Sequence, residues 1–214
     1  MHSVMAIPKS RRPRTGVTSV YVQCGSKPGL SPAFTAAARN LGRGLAAAGI
    51  RVVYGGVGTG LMGSLADAVL EHGGQVLGVL PGFIADSALA HEGLSEVRIV
   101  ASMAERKALM LQLSEAVIML PGGVGTQDEF WEVLATAQLG LHATPCGILN
   151  VDGYFDALLA FIDRALLEGF LSVADKDNIL VSDDPEELIG KLSRKAAERM
   201  ALTATAIEEG SSHA

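Results

Sequence analysis

Nine consecutive residues, Pro121-Gly122-Gly123-Val124-Gly125-Thr126-Gln127-Asp128-Glu129, carry the clearest chemical content of this 214-residue chain. They stand between an apolar run, Ala116-Val117-Ile118-Met119-Leu120, that reads as a buried strand and a segment, 130–139, that reads as a helix. A strand-to-helix turn gathers unpaired backbone N–H groups, and the helix dipole favours an anion there. Glycines let the backbone approach a phosphate closely. Glu129 stands about one turn inside the helix. A phosphate cradle with an acid beside it points to chemistry on a phosphorylated small molecule. Taken alone, Glu129 could equally be a first-turn acid that complements the dipole.

The elements that must position this turn follow from apolar periodicity. A first strand, 17–24, ends in Cys24-Gly25-Ser26-Lys27-Pro28-Gly29, a turn rich in backbone donors. Ser31 as N-cap and Pro32 at the first position open a helix that Gly49 ends. A second strand, 51–54, runs into Gly55-Gly56-Val57-Gly58-Thr59-Gly60-Leu61-Met62-Gly63, and a helix follows to Glu71. A third strand, 75–80, leads to a loop holding Asp86, His91 and Glu92, then a short strand at 96–100. Ser102 and Glu105 form a capping box for a helix from Met103 to about Ser114, which carries Arg106 and Lys107. Beyond the opening motif come a strand at 145–150, a helix at 154–167, a short strand at 179–181 and a helix from Pro185 to about Ala197. This alternation predicts an α/β fold: a Rossmann-like, doubly wound parallel sheet, an α/β/α sandwich forming a single domain over 17–198. Residues 1–16 and 199–214 are expected to be flexible tails. The glycine-rich turns all lie at strand carboxyl ends, where such sheets bind ligands, so they are expected to face one crevice.

Composition narrows the function classes. Apolar residues make up 49% of the chain and aromatics only 5%, so aliphatic side chains must fill the core. The net charge of −6 argues against a nucleic-acid binder. No apolar run reaches the roughly 18–20 residues that span a bilayer, so no membrane partner is expected. Cys24 and Cys146 stand alone in apolar strands and read as small buried hydrophobes, which suits a reducing cytoplasm. The five histidines, His2, His72, His91, His142 and His213, lack metal-ligand spacing, so no metal is expected. No cofactor is expected either. The run at 55–63 departs from a dinucleotide fingerprint, since no acid ends the following strand, and no Gly-Lys-Ser/Thr marks a Walker A loop.

Two glycine-rich loops and a Glu-Arg-Lys cluster flanking one crevice are more specific than any of them alone. The chain here resembles the LOG proteins, cytokinin riboside 5′-monophosphate phosphoribohydrolases, also described as "possible lysine decarboxylase". The resemblance rests on Tyr54-Gly55-Gly56 with Gly60-Leu61-Met62-Gly63, on Met103-Ala104-Glu105-Arg106-Lys107, and on the stretch Pro121 to Glu129. Gln138-Leu139-Gly140 and Leu149-Asn150-Val151-Asp152-Gly153-Tyr154 add to it, and it covers about 17–190. It implies hydrolysis of the N-glycosidic bond of a purine nucleoside 5′-monophosphate, cytokinin-type or plain AMP, to base and ribose 5-phosphate. It implies that Glu129 and Arg106 are catalytic. Lys107, Met103, Gly25, Ser26, Gly55, Gly56, Gly122, Gly123, Val124, Gly125 and Thr126 are then expected to contact the substrate. A homodimer is also implied.

The bland readings stand beside these. Arg106 and Lys107 could be a solvated helix face. Glu105 fits a capping acid better than a catalytic one. The family usually has His where Ala104 stands, and plant members carry Glu near Ala88 and Thr-Trp where Ala135-Thr136 stand; these changes touch the base-binding side. Two other functions deserve weighing. A nucleotide or molybdenum-cofactor carrier of the same fold would need the cradle but not the Arg106 and Glu129 pair. A pyridoxal-phosphate decarboxylase would need a Schiff-base lysine, for which Lys27, Lys107 and Lys176 have no context.

Overall fold

Strand side chains alternate between two apolar layers. Val20 and Val22 pack into one cluster while Tyr21 packs into the other, and the same alternation separates Val52 and Tyr54 from Val53, and Ile118 from Val117 and Met119. The computed structural model describes residues 16–85, 87 and 89–211. It has seven parallel strands in the order β4-β3-β2-β1-β5-β6-β7. They are β1 (Ser19–Gln23), β2 (Arg51–Tyr54), β3 (Val76–Pro81), β4 (Glu96–Val100), β5 (Ala116–Met119), β6 (Cys146–Leu149) and β7 (Ile179–Ser182). Strands buried on both faces are what a sheet covered by helices on both sides requires.

The helices are α1 (Pro32–Ala47), α2 (Gly60–Glu71), α3 (Gly82–Ala85), α4 (Met103–Gln112), α5 (Val124–Gln138), α6 (Asp156–Leu167), α7 (Val173–Asp177) and α8 (Pro185–Ser211). Residues of α1, α2 and α8 contribute to one apolar cluster, and residues of α4, α5 and α6 to the other. This is the single-domain, doubly wound α/β/α sandwich expected from the alternation of elements. Strand order reverses between β1 and β5, which pair directly, Gln23 beside Met119. The crevice at this switch point opens at the carboxyl ends of β1 and β5.

Local signals held at most helix ends. Ser31 Oγ accepts from Ala33 N–H at 3.2 Å, and Gly49 follows α1 at φ 67°. Ser102 Oγ accepts from Glu105 N–H at 3.1 Å. The capping box is modified, because Glu105 Oε2 accepts from Ala101 N–H rather than from Ser102.

Four features depart from the sequence reading. The loop after β3 contains the single turn α3, and α7 is a five-residue helix closed by a full capping box between Ser172 and Asp175. Elements this short fall below what periodicity resolves. Helix α5 begins at Val124, six residues before the expected start, because its first turn is the glycine-containing run that propensity marks as a turn. Helix α8 continues to Ser211 instead of stopping near Ala197, since 198–209 contains no proline and is rich in alanine and glutamate. Of the expected tails, 1–15 and 212–214 lie outside the described residues. No helix among the described residues is long and apolar enough to cross a membrane.

Candidate active site

Three loops meet at the switch point, and glycine permits the meeting. Gly25 N–H donates to the Pro121 carbonyl at 3.0 Å, and the Gly25 carbonyl accepts from Leu61 and Met62 N–H at the start of α2. Thr59 Oγ1 donates to the Ser26 carbonyl at 3.1 Å. A Cβ on Gly122 would lie 2.1 Å from Thr126 Oγ1 and 2.9 Å from Gly25 N, so only hydrogen fits there. The loops enclose a cleft of about 530 Å³, within the range of small-molecule sites.

The expected anion cradle is the first turn of α5. Its N-cap is Gly123, no side chain caps it, and the first bond of the helix runs from Gln127 N–H to the Gly123 carbonyl at 3.1 Å. The N–H groups of Val124, Gly125 and Thr126 precede that bond, so helix geometry leaves them for a ligand. Gly122, Gly123, Val124, Gly125 and Thr126 all line the cleft, and Gly25 and Ser26 line it opposite. Thr126 and Glu129, three residues apart, share a face of α5 and rise about 4.5 Å along it.

Arg106 reaches the same cleft from α4. It is 6% exposed, which removes the solvated-face reading. Its Nε donates to the Val79 carbonyl at 3.0 Å and its Nη1 to Glu129 Oε1 at 2.9 Å. Its Nη2 occupies the place a Gly55 side chain would take, 1.6 Å from an added Cβ. Gly55 is therefore a site glycine because of a side chain and not because of its backbone angles.

The Glu129 side chain is 13% exposed. Burial pushes its pKa above the ordinary glutamate value, while Arg106 and the Tyr21 hydroxyl pull it back. Tyr21 lies on β1 beneath the carboxylate, and burial and then the Glu129 charge push its own pKa well up. The Tyr21 hydroxyl and the neighbouring Gln23 amide are buried with no partner in strict hydrogen-bond geometry, so the Tyr21–Glu129 contact is electrostatic more than directional. Sequence had no means to single out Tyr21, because an aromatic on a central strand reads as core.

Three expected contacts fall elsewhere. Lys107 turns away from the cleft, donating to Asp128 Oδ2 at 2.9 Å and pairing with Glu132; the bonds to Glu132 and then Asp128 raise its pKa. Met103 is exposed and does not line the cleft. Gly56 is buried at φ 76° against Leu80, which makes it a packing turn. In turn, Tyr154, Phe34, Lys27 and Met62 line the cleft without having been singled out as contacts. Ala104 and Ala135 are both exposed and outside the cleft, and Ala88 lies outside the described residues. Cys24 and Cys146 are free and buried; burial holds the Cys146 thiol at about 12 and raises that of Cys24 too. No group of three potential metal ligands occurs among the described residues.

Residues 62–192 match the family described as "Possible lysine decarboxylase". A cytokinin riboside 5′-monophosphate phosphoribohydrolase of Rhodococcoides fascians is 45% identical over 86% of this chain and 93% of its own. One from Arabidopsis thaliana is 44% identical over 83% of this chain and 82% of its own. The molybdenum cofactor binding protein of Rippkaea orientalis shares the fold, with a TM-score of 0.61 at 20% identity over 80% of this chain and 93% of its own.

Gly55→Ala tests the packing of Arg106 directly. The added methyl must evict the guanidinium and leave Glu129 buried without its partner. A loss of about 3 kcal/mol in unfolding free energy by urea denaturation is expected. A variant as stable as the parent would show that Arg106 is not held over Gly55.

Proposed function

The chain belongs to the LOG family of cytokinin riboside 5′-monophosphate phosphoribohydrolases, and from that premise we propose how its cleft cleaves a nucleotide. The enzyme hydrolyses the N-glycosidic bond of a purine nucleoside 5′-monophosphate, releasing the base and ribose 5-phosphate. The observation that carries the site assignment is the Arg106–Glu129 pair at 2.9 Å, about one helical turn from the cradle.

The N–H groups of Val124, Gly125 and Thr126 bind the 5′-phosphate, with the Gly25–Ser26 turn facing them. Holding the phosphate there brings C1′ of the ribose toward Glu129. As the bond from C1′ to the base nitrogen breaks, its electron pair leaves with the base and positive charge builds on the ribose, as in other glycoside hydrolysis. The Glu129 carboxylate stabilises that charge and orients the attacking water. The water oxygen bonds to C1′, and its proton balances the departing base. Arg106 keeps the buried carboxylate ionised by charge and hydrogen bond.

A decarboxylase, as the family description would have it, needs a lysine with a lowered pKa. Lys107 is tied to two carboxylates, which raise its pKa, Lys176 pairs with Asp163, and Lys27 borders the cleft but is exposed, not desolvated. A carrier of the same fold gains nothing from a buried acid beside the cradle. The base preference divides between plain adenine and an N6-substituted adenine. The reading also places the protein in the cytoplasm, which cell fractionation checks.

Incubation with AMP and with isopentenyl-AMP should release ribose 5-phosphate from at least one. Glu129→Gln should lower turnover at least 100-fold while substrate still binds. A fully active Glu129→Gln variant would refute the assignment, and no release from any purine monophosphate would refute the function.

The same reading makes the enzyme a homodimer through the face of α5 and α6. Trp131, 37% exposed, meets Phe161 edge-on, and Phe161 is 59% and Phe170 81% exposed. They border an apolar groove of about 640 Å³, in which Ala135 also lies. Light scattering should give the mass of a dimer, and Phe161→Glu should give a monomer. A monomeric parent, or an undisturbed variant, would contradict this interface.

A further inference from the structure

The turn after β6 is strained, and its strain aims one side chain at the cradle. Asp152 has φ 51°, the one non-glycine residue with positive φ among the described residues, and Gly153 follows at φ 68°. A non-glycine residue is disfavoured in this region by the crowding of its Cβ and persists where its surroundings hold it. Here they do. Asn150 Oδ1 accepts from Phe155 N–H at 2.8 Å, and Asn150 Nδ2 donates to Asp156 Oδ1 at 2.8 Å. Asp156 packs so closely on Gly153 that an added Cβ would lie 2.6 Å from its Oδ2.

The residue delivered by this turn is Tyr154. Its hydroxyl donates to the Gly122 carbonyl at 2.7 Å. Its ring meets Phe155 edge-on at 4.9 Å and Phe34 of α1 edge-on at 5.5 Å. Phe34 in turn lies against Gly29, the end of the donor-rich turn after β1. One side chain therefore links two of the three loops that border the cleft, the one after β5 directly and the one after β1 through Phe34. The anchored carbonyl matters because the peptide joining Gly122 to Gly123 is planar and trans, so fixing its oxygen fixes the direction of the Gly123 N–H. Gly122 and Gly123 have no side chains of their own to hold that plane, and glycine is the residue freest to rotate.

We propose that Tyr154 is a positioning residue that fixes the Gly122–Gly123 peptide, and with it the entry to α5, in the orientation that binds the 5′-phosphate. The proposal rests on the reading that the cradle takes that phosphate. It assigns to Asn150, Asp152 and Gly153 the role of placing the tyrosine. Because the phosphate is bound alike in ground and transition states, losing the anchor should weaken binding and leave the chemical step nearly unchanged.

Tyr154→Phe removes the hydroxyl and keeps the ring against Phe34 and Phe155, so the melting temperature should stay close to that of the parent. Calorimetric titration with ribose 5-phosphate and with adenosine, and kinetics with AMP, read the effect. Expected are a 3- to 10-fold rise in Kd for ribose 5-phosphate and in KM for AMP, in line with the net worth of one hydrogen bond. kcat should stay within about twofold, since nothing at C1′ has changed. The adenosine Kd should not move. Unchanged ribose 5-phosphate binding would overturn the proposal, as would adenosine binding weakened to the same degree, or a fall in kcat with KM constant. A parent protein that binds ribose 5-phosphate without turning over AMP, isopentenyl-AMP or any other purine monophosphate would sink the hydrolase reading, and the Kd shift alone would then decide the anchor. A parent that binds no phosphate ligand would overturn both.

Discussion

The arrangement depends on one buried ion pair. Arg106 comes from α4, which follows the edge strand β4, and Glu129 from α5, which follows β5 on the other side of the switch point. Their bond at 2.9 Å spans the place where the strand order reverses. Each partner is desolvated, so neither is stable there alone. Removing one would leave an uncompensated charge, which is why the pair fixes geometry more surely than an exposed pair could. Arg106 is further tied to the Val79 carbonyl of β3 and lies over Gly55 at the end of β2. The guanidinium thus registers three strands' worth of loops against one carboxylate.

That constraint explains where glycine is required. Gly55 leaves room for a side chain, and Gly122 leaves room for Thr126 and the Gly25 backbone. The bare start of α5 supplies donors because nothing caps it. The uncapped first turn and Glu129 belong to consecutive turns of one helix, so covalent structure fixes their separation. The proposed reaction needs a carboxylate facing a developing cation at a fixed distance from a phosphate, and a rigid helix provides that distance better than a loop.

The sequence made much of this legible, for identifiable reasons. Strands and long helices announce themselves by apolar periodicity and by residues such as Ser31, Ser102 and Gly49. The cradle was visible because its residues are contiguous. The pairing of Arg106 with Glu129 was visible only through a known motif, since 23 positions separate them and spacing alone says nothing about contact. Lys107 shows the limit: adjacent residues on α4 point to different sides, so its neighbour enters the cleft while it meets Asp128 and Glu132. Tyr21 and the hydroxyl of Tyr154 were hidden for another reason. An aromatic reads as packing until the structure shows which polar atom its hydroxyl faces.

Burial raises the pKa of Glu129, and the charge and hydrogen bond of Arg106 hold that rise in check. The direct measurement is a carbon-13 NMR titration of the Glu129 carboxyl in the parent and in Arg106→Met. Burial is the larger effect, so the parent should titrate above the ordinary glutamate value, its carboxylate present above that midpoint and lost as pH falls through it. With the guanidinium gone, the midpoint should move higher still. A parent midpoint at or below the ordinary value, or one that does not move when Arg106 is replaced, would contradict the account.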